Sequence, residues 1–106
     1  MKKGIDLVTI KTTEIAYCYS AYKLVFLIEH TGQKFIVDRS LNDLEKELDP
    51  GLFFRVNRKY LVNIHHVRRI KALVKGKLSL DLNPATGEEI VISQERAPAF
   101  KIWMGN

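Results

Sequence analysis

Residues 53 to 63 read Phe53-Phe54-Arg55-Val56-Asn57-Arg58-Lys59-Tyr60-Leu61-Val62-Asn63 and combine cations with large apolar side chains. The apolar positions on both sides of the centre are typical of buried β-strand. The polar group Asn57-Arg58-Lys59 interrupts them and predicts a loop between two strands. We therefore expect one amide and two cations to project from a rigid sheet.

The basic charge of the chain is concentrated around this stretch. No Asp or Glu occurs between Pro50 and Leu80, whereas eight of the 17 Lys and Arg residues lie there. Residues 1 to 49 contain eight acids and seven bases, so the net charge of +5 belongs almost entirely to the second half. This asymmetry predicts a polyanionic partner. A chance cluster of charges on a solvated β-turn is the alternative interpretation.

The length of 106 residues predicts a single domain, residues 1–106, with a core of its own. No apolar run approaches the roughly 20 residues that span a bilayer. The N-terminal Met1-Lys2-Lys3-Gly4 is followed by no continuous apolar segment of the signal-peptide kind. We therefore expect a soluble, cytoplasmic protein without membrane association.

The sequence offers little for catalysis or metal binding. The lone Cys18 has no partner for an internal disulfide, and we expect it to be a small buried apolar residue. The common phosphate-binding, nucleophile and zinc-protease motifs do not occur. The adjacent His65 and His66, if on a strand, point to opposite faces and cannot ligate one metal ion. We expect no catalytic residue, no cofactor and no metal.

Apolar alternation predicts a mostly β protein with about 8–10 short antiparallel strands. Residues 22–29 are apolar on both faces, which is typical of a strand inside a sandwich. The turns are expected at residues 30–33 and at Lys75-Gly76-Lys77, which would form the basic tip of a hairpin. Beside the stretch at 53–63, strands are predicted over 6–11, 15–19, 22–29, 34–37, 69–74, 78–82 and 89–92.

Two helices complete the predicted architecture. Ser40 is expected to cap an internal short helix whose inner face carries Leu41, Leu44 and Leu48. Its outer face is acidic and would repel phosphates, so it is a poor recognition helix. Ser93-Gln94-Glu95-Arg96 is expected to cap a C-terminal helix, and the residues predicted to face inward there are Ala99, Phe100 and Trp103.

The chemistry of Asn57-Arg58-Lys59 favours nucleic acid. Lys and Arg bind backbone phosphates, while planar amides and guanidiniums read base edges through paired hydrogen bonds. One alternative is a β-rich RNA or single-strand binder that stacks bases on Tyr17, Tyr19 and Tyr22. Another is a protein-interaction module whose basic face docks on an acidic partner.

The run from Phe54 to Asn63 resembles the signature of the LytTR DNA-binding domain, the output module of LytR/AlgR-type response regulators. Residues 14–22, 40–45 and 93–96 resemble further segments of that family, so the likeness extends from about Ile5 to Trp103. The resemblance implies an elongated β-β-β sandwich that inserts loops into successive major grooves and bends the DNA.

The resemblance also implies contacts. Gln94 stands where many members of the family have Arg, so a guanine-reading guanidinium is either lost or supplied instead by Arg96. Gln can pair with adenine, which would shift the preferred base rather than abolish the contact. The candidates for base reading are Tyr22, Lys23, Asn57, Arg58, Gln94 and Arg96, and the candidates for phosphate binding are Arg55, Lys59, Arg68 and Arg69.

The implied partner is double-stranded DNA with repeated half-sites, bound by a pair of protomers. A receiver domain is expected upstream in the full-length protein. We interpret residues 1–4 as a linker remnant, which favours an excised output domain over a free-standing regulator.

Overall fold

A computed structural model describes residues 4–5 and 10–105. The strand predicted over 6–11 falls largely outside the described residues. The elements are β1 (Gly4–Ile5), β2 (Ile15–Ala21), β3 (Leu24–Glu29), β4 (Lys34–Val37), α1 (Leu41–Glu47), β5 (Phe53–Arg55), β6 (Tyr60–Asn63), β7 (Val67–Ala72), β8 (Leu78–Leu82), β9 (Ile90–Ile92) and α2 (Ala97–Trp103).

The strands form two sheets. The larger has the order β1-β4-β3-β2-β6-β5, and the smaller has the order β7-β8-β9. Every pair is antiparallel except β1 with β4, which is parallel. The molecule measures 42 × 26 × 23 Å. The predicted elongated, mostly β sandwich with one internal and one C-terminal helix is confirmed.

The larger sheet is buried on both faces, because its central strands are apolar at successive positions. Cys18, Leu27 and Leu61 are paired across β2, β3 and β6 and point toward α1. Their neighbours point the other way, toward the smaller sheet and α2. This second core contains Tyr17, Ile28, Val56, Tyr60, Val62, Leu80, Ile90 and Phe100.

Both predicted helices are present, with one correction. Ser40 Oγ accepts a hydrogen bond from the Asp43 backbone N–H at 3.0 Å, and the leucine stripe of α1 is buried. In α2 the buried residues are Ala97 and Phe100, and the predicted inward position of Ala99 is wrong. The reason is that α2 begins at Ala97, so Ala99 lies on its solvent side.

Two local predictions also change. Strand β2 continues through Ala21, beyond its predicted end at residue 19, and β3 begins at Leu24, so Tyr22-Lys23 is a turn and not the start of the strand predicted over 22–29. The two histidines lie in a 3₁₀ turn, Ile64–His66, and not on a strand. Within residues 4–5 and 10–105, no helix is long and apolar enough to cross a bilayer.

Candidate nucleic-acid interface

The tip of the β2–β3 hairpin is a strained turn that presents two of the predicted contacts. Ala21 pairs with Leu24, so the loop has only two residues, Tyr22 and Lys23. Their φ angles are 54° and 62°, and positive φ at both positions defines a type I′ turn. Both side chains are exposed, and Tyr22 is 91% accessible. A type I′ turn favours Asn and Gly, so Tyr22 and Lys23 lower the stability of the turn. Unfavourable backbone conformations of this kind are often found at functional sites.

The β5–β6 loop is held by the side chain of Asn57. Asn57 Oδ1 accepts hydrogen bonds from the backbone N–H groups of Lys59 (2.8 Å) and Tyr60 (2.9 Å). Its Nδ2 donates to the carbonyl of Val91 on β9 at 3.1 Å. Because both acceptor sites of the oxygen are occupied, the paired bond to adenine expected of this amide is not available in this conformation. Asn57 shapes the loop instead.

Arg55 braces the same loop from below. Its Nε donates to the carbonyl of Asn57 (2.9 Å), and its Nη2 donates to the carbonyl of Arg58 (2.8 Å). Its Nη1 reaches α1, where it contacts Asn42 Oδ1 at 2.9 Å and Glu45 Oε1 at 3.3 Å. The side chain is only 17% exposed, so its internal bonds compete directly with the expected phosphate contact.

Two acids from other parts of the chain lie close to the stretch between Pro50 and Leu80, which has no Asp or Glu of its own. Glu45 comes from α1 to Arg55. Glu88 comes from the loop before β9 to Lys59, with 2.5 Å between Nζ and Oε2. Tyr60 Oη donates to the same Oε2 at 3.0 Å. These two donors, Lys59 first, lower the pKa of the Glu88 carboxyl below its usual range.

Arg58 keeps an exposed side chain at the top of this braced loop. It borders two adjoining grooves. One is shared with Lys23 from the hairpin tip, and the other with Lys77 and Arg96. A backbone hydrogen bond of 3.0 Å from Ser20 N–H to the Lys59 carbonyl ties the loop to β2. The structure thus brings three of the predicted contacts, Lys23, Arg58 and Arg96, to one edge.

The segment before α2 lies against this edge. The guanidinium of Arg96 stacks 4.8 Å from the ring centre of Phe54 and donates to the carbonyl of Arg55. Gln94 is exposed and packs on the β7–β8 tip, where a Cβ placed on Gly76 would lie 3.2 Å from Gln94 Cγ. Gly76 has a φ of +76°, a conformation that residues with a side chain rarely adopt.

Arg68 and Arg69 lie on the edge strand of the smaller sheet. Arg69 pairs with Asp81 in the β7–β8 register. Arg68 borders a different groove, together with Asp81, Glu88 and Glu89. Their surroundings are mixed in charge, and phosphate binding by them stays a prediction.

The two tyrosines of β2, Tyr17 and Tyr19, pack in or against the hydrophobic core. Tyr19 lies 6.1 Å from Tyr17 and 5.6 Å from Tyr60, measured between ring centres. Tyr17 Oη donates to the Ala85 carbonyl at 3.2 Å, and burial raises the pKa of Tyr17 to about 12. Tyr17 is buried and therefore not available for base stacking. Cys18 is fully buried as expected, and burial raises its pKa to about 12.

Sequence reasoning missed Lys77, Glu45 and Glu88. The sequence predicted Lys77 to lie in a basic hairpin tip. It did not predict that Lys77 lines the same groove as Arg58, because this depends on how the two sheets pack. Glu88 follows an ordinary Asn-Pro-Ala-Thr-Gly loop and had no signal. Among the described residues, no cluster of three or more His, Cys, Asp or Glu side chains is arranged to hold a metal ion.

Cations on adjoining loops at one edge of an elongated β-sandwich are typical of a domain that binds a polyanion such as a nucleic acid. The sequence profile of the LytTr DNA-binding domain matches residues 6–105, and the chain belongs to the LytTR family. The resemblance noted in the sequence is confirmed.

Comparisons with individual proteins agree with this family assignment. The chain is similar to the LytTr DNA-binding domain of a response regulator from Bacillus cereus, with a TM-score of 0.76, 21% identity, and coverage of 89% of this chain and 84% of that one. At that identity the likeness concerns the fold alone. A 44-residue segment is 34% identical to the transcriptional regulatory protein LytR of Staphylococcus aureus (strain MW2). This segment is 42% of the chain and spans 18% of that protein's length.

Proposed function

We propose that this domain binds double-stranded DNA in a sequence-specific manner as the output domain of a transcription regulator, without a chemical step. The observation that carries the proposal is Arg58, an exposed guanidinium on a loop braced by Arg55 and Asn57. A guanidinium held on a rigid support can form a bidentate pair with guanine in the major groove. Lys23, Lys77 and Arg96 border the grooves on either side of it.

In this proposal the residues along this edge make different contacts with DNA. Arg58 reads a base, and Lys23 and Tyr22 contact DNA from the β2–β3 tip. Lys77 and Arg96 contribute from the neighbouring groove, and Gln94 remains a candidate base contact. The 42 Å length of the molecule is comparable with one helical turn of DNA, about 34–36 Å, which fits binding across successive major grooves.

The regulatory setting is also part of the proposal. The relatives are a transcriptional regulatory protein and a domain of a response regulator. We infer a cytoplasmic protein in which a receiver domain precedes this one and two protomers occupy repeated half-sites.

Arg58→Ala tests the base contact. We expect a loss of about 1–3 kcal/mol on the preferred duplex and a relaxed preference at one base pair, because a bidentate contact disappears. The measurement is a titration of preferred and single-substitution duplexes, after a selection from randomised oligonucleotides has defined the preferred site.

Arg69→Ala is the matched control, since it removes the same charge on β7, opposite Asp81. Its sequence preference should stay unchanged. The base-reading assignment fails if Arg58→Ala leaves both affinity and preference as they were. Tighter binding to single-stranded than to duplex oligonucleotides would favour the RNA or single-strand alternative.

A further inference from the structure

Glu88 occupies an unusual place for a carboxylate in a surface that binds DNA. It lies beside the β5–β6 loop that carries Arg58, where Glu88 Oε2 contacts Lys59 Nζ at 2.5 Å. The buried Tyr60 donates through its Oη to the same oxygen at 3.0 Å. The loop that carries Glu88 is also joined to the larger sheet by the hydrogen bond from Tyr17 Oη to the Ala85 carbonyl. Two buried tyrosines therefore help to position this exposed carboxylate beside Lys59.

This contact has a consequence for DNA binding. Lys59 is the cation next to Arg58, and its ammonium is already paired in the free protein. A DNA phosphate that approaches Lys59 competes with this carboxylate for the ammonium. The carboxylate also repels the phosphate backbone of every duplex, whatever its sequence. Phosphate contacts with counterion release contribute to binding on every duplex, so this cost applies to specific and non-specific binding alike.

We propose that Glu88 limits the affinity for DNA of any sequence, because its carboxylate pairs with Lys59 and competes with phosphate for that ammonium. The inference rests on the proposed function, since it assumes that the Arg58 edge meets DNA. A phosphate contact of Lys59 does not depend on sequence, so Glu88 lowers the affinity for the preferred duplex and for a random duplex by the same factor.

Glu88→Gln tests this proposal on a duplex of random sequence. Glutamine keeps an acceptor for Tyr60 Oη but removes the charge that holds Lys59. We expect tighter binding, and a slope of log K against log salt that is steeper by about 0.9, the value for one additional phosphate contact. At about 0.1 M salt this slope corresponds to roughly eightfold tighter binding, relative to a 1 M reference. The ratio of specific to non-specific affinity should stay unchanged, because the gained phosphate contact is available on every duplex.

Glu89→Gln is the matched control. It removes the same charge one residue away, from a carboxylate that accepts a hydrogen bond from Ser79 Oγ at 2.9 Å. We expect it to leave the salt slope unchanged. Lys59→Met provides the second control, because the steeper slope of Glu88→Gln should disappear when the two substitutions are combined.

The proposal is overturned if Glu88→Gln and Glu89→Gln have equal slopes, or if the effect of Glu88→Gln persists without Lys59. Elution from immobilised heparin in a salt gradient provides the same ranking on another polyanion, with Glu88→Gln eluting later than Glu89→Gln. These comparisons use only random duplex and heparin. The proposed function fails separately, if the wild-type domain does not distinguish a selected duplex from a random one.

Discussion

At the scale of single residues, the β5–β6 loop shows that two adjacent polar side chains can have different surroundings. Asn57 and Arg58 are neighbours with opposite roles. Asn57 turns inward and closes the loop, while the Arg58 side chain stays exposed. The difference follows from reach, because a short amide matches backbone groups two and three residues ahead, as in other Asx turns.

Asn57→Ala should therefore behave as a folding mutation. Its removal leaves the Lys59 and Tyr60 N–H groups and the Val91 carbonyl without their partner, at a cost of about 1–3 kcal/mol in the free energy of unfolding. Urea denaturation measures this loss. Binding should weaken on all duplexes alike. If stability is retained and the preferred base changes instead, Asn57 is a base reader after all.

At the scale of elements, the positive φ angles of Tyr22 and Lys23 lower the stability of the β2–β3 hairpin. A type I′ turn favours Asn-Gly, since both positions need positive φ, yet this chain has Tyr22-Lys23. The larger sheet is held by pairing along β2 with β3 and β6, so the turn is retained despite the unfavourable residues. This choice is explained if the two side chains serve binding.

Replacing the tip by Tyr22→Asn and Lys23→Gly should stabilise the domain and impair binding. Relief of the left-handed conformation is worth roughly 1–2 kcal/mol per residue at most. A higher midpoint in urea denaturation, together with weaker binding to the preferred duplex, is the expected pair of results. The single change Lys23→Gly keeps Tyr22 and separates the two contributions. Unchanged binding by the double variant would remove this tip from the interface.

At the scale of the whole molecule, one core joins the two sheets. Phe100 on α2 is fully buried and packs in the same cluster as residues of β2, β6, β8 and β9. Its ring also lies 5.8 Å from the ring of Trp103, the single tryptophan of the chain. The edge that bears Arg58 is built from both sheets, so its geometry depends on this shared core.

Phe100→Ala should destabilise the domain by about 3–5 kcal/mol, because it leaves a large cavity in that core. Thermal unfolding followed by Trp103 fluorescence and by far-ultraviolet circular dichroism should show one common, lowered midpoint. Ile102→Ala is the control, since Ile102 is 73% exposed and should cost little. Separate midpoints for the two signals would mean that the sheets unfold independently.

The sequence by itself determined the mostly β class, the helix capped by Ser40 and the loop at residues 57–59. These features follow from local periodicity, capping and turn chemistry, which act between residues close in the chain. It also placed the positive charge correctly in the second half of the chain.

Only the tertiary structure decided which cations are free. Glu45 and Glu88 are distant in sequence from Arg55 and Lys59 or lie on other elements, and packing alone brings them into contact. In the same way, Lys77 and Arg58 line one groove because they precede β8 and β6, strands of two sheets that share a core. Electrostatic interactions depend on distance in space and not along the chain, so a stretch without acids in the sequence was neutralised in part by the fold.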